Sequence, residues 1–393
     1  MQNLAALEGD GFYTTSYVVV GDDTTTTIRT TYIDANATVP VTDDDQYIAD
    51  RYVGTGKNAG VDYQGYTQDI DATLGSDAYT SIAAIRGSDG NSVIIGSSAA
   101  ETIYAGGGNS TINGAGGRDV LVSDNIDKYG SATFEFNTGN GKDTIEGFQA
   151  YSSNTSLTAD QLNIDEGYEV KMVGDNLRFS LNSSDQVTLT DMAGEMIKIN
   201  GDVSEIGTEL EYDEVVKNYV GIDNATLSIG DIEQDVSMWV NLGELGWEEG
   251  PKFSNVRVID ASSYYENATI VGGSETTEIY CGHGGNTVWG GHTDSNDTIY
   301  AGEGNNAMVY LYGNGDDVFE DAKDGDLVAF LNIGLEEIDW ANLEIDENAM
   351  NFKFNDGGSL KINSDKEVVI QLNNGSQWTN DRKGNWNFKG MAE

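Results

Sequence analysis

The sequence is poor in cysteine, proline and positive charge, and each shortage excludes something. Cys281 is the only cysteine, so no internal disulfide can form, and a chain kept outside the cell needs bound metal or a continuous sheet to hold it together. Two prolines among 393 residues leave almost every backbone N–H free for a hydrogen-bond ladder. Only 20 Lys and Arg stand against 66 Asp and Glu, a formal net charge of −46. Nucleic acid and anionic lipid both require basic groups set against phosphate, so neither is a partner; the natural small partners are cations. Long apolar runs are missing too. The longest, such as Tyr17 to Val20, fall far short of the roughly 20 residues of a spanning helix, so no membrane insertion is expected. The first residues, MQNLAALEGDGFYTTSY, lack the basic and apolar regions of a cleavable signal, which leaves a soluble chain or one exported by another route.

What is present is 49 glycines, without the triplet period of collagen, beside 38% hydrophobic and 9% aromatic residues. That is enough for a core and points to turn-rich β structure. Self-similarity organises the chain on two scales. On the larger, ETIYAGGGNSTI from Glu101 echoes TEIYCGHGGNTV from Thr277, GNGKDTIEGF from Gly139 echoes GNGDDVFEDA from Gly313, and LNIDEG at Leu162 echoes LEIDEN at Leu343. One half duplicates the other, starting near Gln68 and Gln234.

On the smaller scale each copy has a nine-residue period, with frames from Gly87, Gly96, Ala105, Gly114 and Thr138, then Ser263, Gly272, Cys281, Gly290, Ala301 and Tyr312. Their eighth positions are Ile94, Ile103, Ile112, Leu121, Ile145, Ile270, Ile279, Val288, Ile299, Met308 and Phe319, all apolar, which means one side chain per nonamer points into a shared interior. The fourth is Gly in seven frames (Gly90, Gly108, Gly117, Gly141, Gly284, Gly304, Gly315), where a tight turn needs positive φ. A short strand with one inward residue cannot bury itself, so successive turns must stack.

The frames GAGGRDVLV at Gly114, TGNGKDTIE at Thr138 and YGNGDDVFE at Tyr312, with SNDTIYAGEGN from Ser295, resemble the repeats-in-toxin (RTX) nonapeptide G-G-x-G-x-D-x-U-x. The resemblance implies a parallel β-roll with calcium between turns, the sixth-position Asp supplying a carboxylate and turn carbonyls the remaining oxygens. The expected fold is all-β: tandem parallel β-roll or β-solenoid units, each capped by antiparallel β-hairpins, plus an N-terminal β-rich arm. The arm spans 1–67, the first roll and its cap 68–215 and the second 216–393. The caps are read from KMVGDNLRFSLNSSDQVTLTDM and NFKFNDGGSLKINSDKEVVIQL, which alternate like hairpins.

The sixth slot reads Ser92, Glu101, Ser110, Asp119 and Asp143 in the first copy, then Ala268, Thr277, Asn286, Asp297, Asn306 and Asp317 in the second. With two nonamers per turn, alternate frames stack, placing Glu101 over Asp119 and Asp297 over Asp317. The metal residues are therefore Glu101, Asp119, Asp143, Asp297 and Asp317, for one or two Ca2+ ions. Asn286 with Asn306, and Ser92 with Ser110, share an edge where stacked side chains can hydrogen-bond from turn to turn without an ion. A two-residue insertion around Asp294 lies beside the Asp297 pair and either adds a ligand or breaks the register.

No HExxH, GxSxG, phosphate-binding loop or dinucleotide fingerprint occurs. Cys281 and His283 are two apart but have no orienting third group, and His292 lies nine residues further on. With so many carboxylates, close pairs such as Asp22 with Asp23, Asp43 to Asp45, or Glu336 with Glu337 are solvated faces rather than a glycosidase dyad. Aromatic residues at or beyond the outward ninth slot, Tyr104, Tyr280, Trp289, Tyr300 and Tyr310, suit sugar stacking, burial against another subunit, or cover by the copy's own hairpins.

Segment 1–66 is dense in β-formers and can dock on the first roll or add strands to a neighbouring molecule. The expected function is that of an extracellular, non-enzymatic structural protein that self-assembles into a filament or surface layer at a bacterial surface. The alternatives are an adhesin module binding surface glycans and a polysaccharide-acting β-helical enzyme. The RTX resemblance implies type I secretion with an uncleaved C-terminal signal.

Overall fold

The computed structural model describes residues 2–9, 11–20, 25–44, 48–124, 130–152, 158–213, 215–230, 238–241, 251–273, 278–291, 295–381, 383 and 385–391. Asp22, Asp23, Asp45, Gln234, Thr277, His292 and Asp294 lie outside them. The described residues are all β, with parallel and antiparallel pairings and no helix. They divide into two compact units, Met1–Ser204 and Glu205–Glu393.

In the first unit the nonamer strands alternate between two parallel sheets. Ala84–Arg86, Thr102–Tyr104, Val120–Val122 and Lys142–Glu146 lie side by side in one, while Ser92–Ile95, Ser110–Asn113, Ala132–Phe136 and Gln161–Ile164 do so in the other. The pairing puts frame over alternate frame: Ile103 lies opposite Ile85 and Leu121, and Ile112 opposite Ile94 and Phe134. The same sheet starts upstream of the first frame. Thr38–Pro40 and Gly60–Asp62, inside the segment read as an arm, continue it through Val39, Val61 and Ile85, all buried. Pro40 is tolerated because its strand is the edge of that sheet. Gln2–Gly9, Phe12–Val20 and Thr25–Ile33 form an antiparallel set. The expected hairpins are present as Glu169–Val173, Asn176–Ser180 and Gln186–Leu189.

The second unit repeats the alternation. Lys252–Asp260, Glu278–Tyr280, Thr298–Tyr300 and Asp316–Glu320 form one parallel set, and Ala268–Val271, Thr287–Trp289, Ala307–Leu311 and Leu327–Leu331 the other. Antiparallel pairs follow at Ala349–Lys353 with Ser359–Asn363 and at Ser376–Asn380 with Trp386–Met391.

All eleven eighth-slot residues are buried, from Ile94 to Phe319. Burying one such side chain yields about 1.5–3 kcal/mol, whereas ordering the backbone costs about 1–2 kcal/mol per residue, so a nine-residue repeat cannot stand alone. Each turn is ordered only because its backbone ladder and inward residue meet those of its neighbours.

The fourth-slot glycines have two reasons rather than one. Gly141 has φ +86°, as the turn argument expects. Gly108 is not in the left-handed region; a Cβ on it would overlap the carbonyl oxygen of Gly90 one turn away. Close stacking of turns, not backbone handedness, requires glycine there.

Ile103→Ala should therefore cost about 2–5 kcal/mol in urea unfolding, because the turns above and below cannot collapse into the gap. Thr102→Ala, on a half-buried neighbouring side chain, should stay within about 0.5 kcal/mol. Equal effects from the two would show that Ile103 is not in a packed interior.

Candidate metal centre

Each described sixth-slot residue lies at or beside the start of its strand and is buried. Glu101, Asp119 and Asp143 are buried in the first unit, and Asp297 and Asp317 in the second. Register sets them in a ladder. Asp119 accepts the backbone N–H of Glu101 through Oδ1 at 2.8 Å, and Asp143 accepts that of Asp119 at 3.0 Å. In the second unit Asp317 Oδ1 accepts the N–H of Asp297 at 3.0 Å. The stacking expected from the nonamer spacing is thus observed for both pairs, with Asp143 added to the first.

The second carboxylate oxygens behave differently. Oδ2 of Asp119, Asp143 and Asp317 is buried without a hydrogen-bond partner. A Cβ placed on Gly114 would lie 2.7 Å from Asp119 Oδ2 and 3.1 Å from Asp143 Oδ2, so the first-slot glycine keeps open the space beside both oxygens. Both side-chain amide atoms of buried Asn314 are likewise unpartnered, although its counterpart Asn140 donates to Asn113 Oδ1 at 2.7 Å and to the Ala115 carbonyl at 2.8 Å. The ladder ends at Asp185, whose Oδ1 accepts Gly141 N–H at 3.0 Å and Oδ2 the Asn182 amide at 2.7 Å. At its other end Glu101 accepts Ser97 N–H and, through a short bond, the Ser97 hydroxyl.

Orphaned oxygens carry an electrostatic cost. Burial, with the neighbouring charges of Asp143 and Glu101, pushes Asp119 up to about 8 despite the N–H of Glu101. Burial pushes Asp143 up to about 6, and burial with the charge of Asp297 pushes Asp317 up to about 8. Like-charged carboxylates enclosed together favour either a proton or a cation between them. Among the described residues no three His, Cys, Asp or Glu side chains converge as a metal-holding group. A hard cation does not need that: paired carboxylates with turn carbonyls meet its preference for oxygen. The unpartnered Oδ2 atoms and the space held by Gly114 fit such an ion.

On the other edge of each unit the polar sixth-slot side chains Ser92, Ser110, Asn286 and Asn306 all have hydrogen-bond partners. Asn286 N–H donates to Asn306 Oδ1 at 3.1 Å, as does the Asn286 amide at 2.9 Å, which matches the expected ion-free stacking. Ser92 and Ser110 face each other in register but do not bridge turns. Ser92 Oγ accepts Ser88 N–H at 3.0 Å and Ser110 Oγ donates to the Ala105 carbonyl at 2.6 Å, because a hydroxyl is too short to reach the next turn.

Four buried carboxylates escaped the sequence reading; one of them, Glu205, accepts Glu211 N–H at 2.9 Å. Asp160 accepts Ala132 N–H at 2.7 Å and Gln149 N–H at 2.8 Å; Asp326 accepts Asn306 N–H and Lys323 N–H, both at 2.7 Å; and Asp185 ends the first ladder. Asp326 continues the spacing of Asn286 and Asn306, a signal that was available. Asp185 follows a hairpin that interrupts the nonamer count, and Asp160 follows a longer connection.

Elsewhere, Cys281 is buried and its thiol is pushed up to about 12 by burial, while His283 is exposed and stacks on Tyr265 at 4.4 Å. Tyr280 and Tyr300 stack at 4.4 Å with planes 1° apart. Tyr310 does not belong to this outward set. It is fully buried, bonds the Gly315 carbonyl at 2.8 Å and packs on Phe354, because its strand has shifted the inward face by two residues past Met308.

Residues 84–112 and 95–125 match the RTX calcium-binding nonapeptide repeat (four copies), so this segment carries RTX repeats, and Ca2+ is the ion such repeats bind. No curated protein matches the chain. Among solved structures, the crystal structure of extracellular lipase LipA from Serratia marcescens matches with a TM-score of 0.19 and 15% identity, over 70% of this chain and 38% of that one. The chain therefore spans well under half of that lipase, and a likeness this weak carries no argument about activity. No described helix is long and apolar enough to cross a membrane.

The raised values of Asp119, Asp143 and Asp317 mean that the folded apo protein binds protons more tightly than the unfolded chain, whose carboxyls titrate near 3.8. In chelator, the stability these protons contribute is full below that value and is lost as pH rises through about 6 to about 8. Thermal unfolding in EDTA should therefore show Tm falling between pH 5 and pH 8, with calcium flattening the slope and releasing protons on binding. A Tm in EDTA that rises over this range would contradict the assignment.

Proposed function

We propose that this protein is an extracellular structural protein whose two units are RTX-like β-rolls tied turn to turn by calcium. Asp119 with Asp143 and turn carbonyls hold one ion, with Glu101 stacked beside them, and Asp297 with Asp317 a second. The observation that carries this reading is the set of buried, unpartnered Oδ2 atoms on stacked repeats. Calcium supplies the positive charge that lets these carboxylates stay ionised inside the fold. Where calcium is scarce the net charge of −46 is uncompensated and the chain stays loose, which suits export before folding. The RTX repeats fit a secreted protein.

The role is structural rather than catalytic. Burial moves the Cys281 thiol away from the thiolate a nucleophile requires, and the His283 ring is engaged with Tyr265. Tyr280 and Tyr300 each give one ring face to the other, and such a stacked aromatic pair suits burial against protein. Gln2–Gly9 and Trp386–Met391 are the outermost strands of their sheets, and such edges accept strands from another copy. Open edges of this kind support the reading of self-association into a filament or layer.

Two measurements test the proposal. Asp119→Asn keeps the Oδ1 acceptor but removes a buried charge, so Tm in EDTA should rise while the calcium-induced gain shrinks. For the wild type that gain is about 2.7 kcal/mol at calcium one hundred times its Kd. A variant with the full gain would remove Asp119 from the site. Negative-stain microscopy should show regular filaments or sheets in calcium that disperse in EDTA; discrete particles under both conditions would overturn self-assembly.

A further inference from the structure

The non-orphan edge of the second unit contains a cation of its own. Lys323 occupies the third slot of a frame beginning at Asp321, in line with Glu303 and His283 of the two preceding turns on that edge. Its side chain reaches back across the gap between turns. Nζ donates to the Gly302 carbonyl at 2.7 Å and lies 3.2 Å from Glu303 Oε1. Its backbone N–H donates to Asp326 Oδ2 at 2.7 Å, while Asp326 Oδ1 takes Asn306 N–H at 2.7 Å. Both oxygens of this buried aspartate are satisfied, in contrast to Asp317 on the other edge, whose Oδ2 has no partner. A turn carbonyl and a turn carboxylate thus receive a positive charge from within the chain where an ion would otherwise supply it. On the preceding turns Asn286 and Asn306 replace carboxylates with neutral amides that donate as well as accept, so no further charge needs compensation.

Resting on the calcium reading above, we propose that the Lys323 ammonium fills the inter-turn position on this edge in place of calcium, so that the Asn286–Asn306–Asp326 edge holds without metal. Lys323 then decides which edge of the second unit takes calcium, and the protein keeps one ordered edge in that unit when calcium is withdrawn.

The full-length protein tests this by calorimetry in EDTA and by metal analysis of calcium bound per chain. Lys323→Met should lower the EDTA Tm by roughly 2–6 °C, the range for losing one charged hydrogen bond on a half-exposed side chain. Added calcium should restore it, with one more ion bound per chain than in the wild type, because the Gly302 carbonyl and the Glu303 carboxylate are left as open oxygen donors. Lys323→Arg keeps the charge and should leave the EDTA Tm unchanged; Asp326→Asn should leave the wild-type calcium count unchanged. The inference falls if Lys323→Met leaves the EDTA Tm where the wild type has it, if lost stability is not restored by calcium with an added ion, or if Asp326→Asn sheds a calcium ion. Should Lys323→Met fail to fold, the Arg and Asn variants still decide the matter. The EDTA comparison contains no metal, so it stands or falls separately from calcium binding at Asp119 and Asp317.

Discussion

The structure depends on one repeated contact: a backbone N–H at the head of a strand donating to the side-chain oxygen of the residue one turn away. Glu101 N–H to Asp119, Asp119 N–H to Asp143, Asp297 N–H to Asp317 and Asn286 N–H to Asn306 are all instances. The contact spaces the turns so that their ladders and inward residues coincide. It also brings a polar group into a dry position, since the acceptor must come from inside the fold. Whether that group is Asp or Asn then determines what else the edge needs. An amide satisfies itself by donating to its own turn and to the next. A carboxylate leaves one oxygen over, and in a low-dielectric interior that oxygen requires a proton, a fixed cation or a metal ion.

Some carboxylates of this chain escape that requirement because a second N–H reaches them. Asp160, Asp185 and Asp326 have both oxygens bonded by protein donors. Asp119, Asp143 and Asp317 do not. The acidic composition takes on a physical role in this light: a chain with few basic groups cannot neutralise its own interior carboxylates except at isolated points, and it relies on its surroundings for the rest.

Much of this was legible in the residue pattern because the period is rigid. An apolar residue at every eighth position identified the interior, and all of those residues are buried. The pairing of Glu101 with Asp119 and Asp297 with Asp317 came from the same count. Legibility ended where the count was interrupted. Asp160 and Asp185 follow inserted chain, and strands at Thr38–Pro40 and Gly60–Asp62 extend the sheet off the nonamer count, because their turns are longer: Thr38 pairs with Gly60 and Gly60 with Ala84. Tyr310 was placed outward because a longer strand carries a second inward residue that a fixed nonamer does not contain. The stacking of Ser92 on Ser110 was right in register but wrong in chemistry, since side-chain length rather than position decides whether a bond crosses the gap.

The most direct test of the account is hydrogen exchange at the backbone amides of the two kinds of edge, followed with and without calcium. The amides of Glu101, Asp119 and Asp297 should gain protection when calcium is added, whereas those of Asn286 and Asn306 should be protected already in chelator. Exchange that is equally fast at all five in both conditions, or equally changed by calcium at all five, would contradict it.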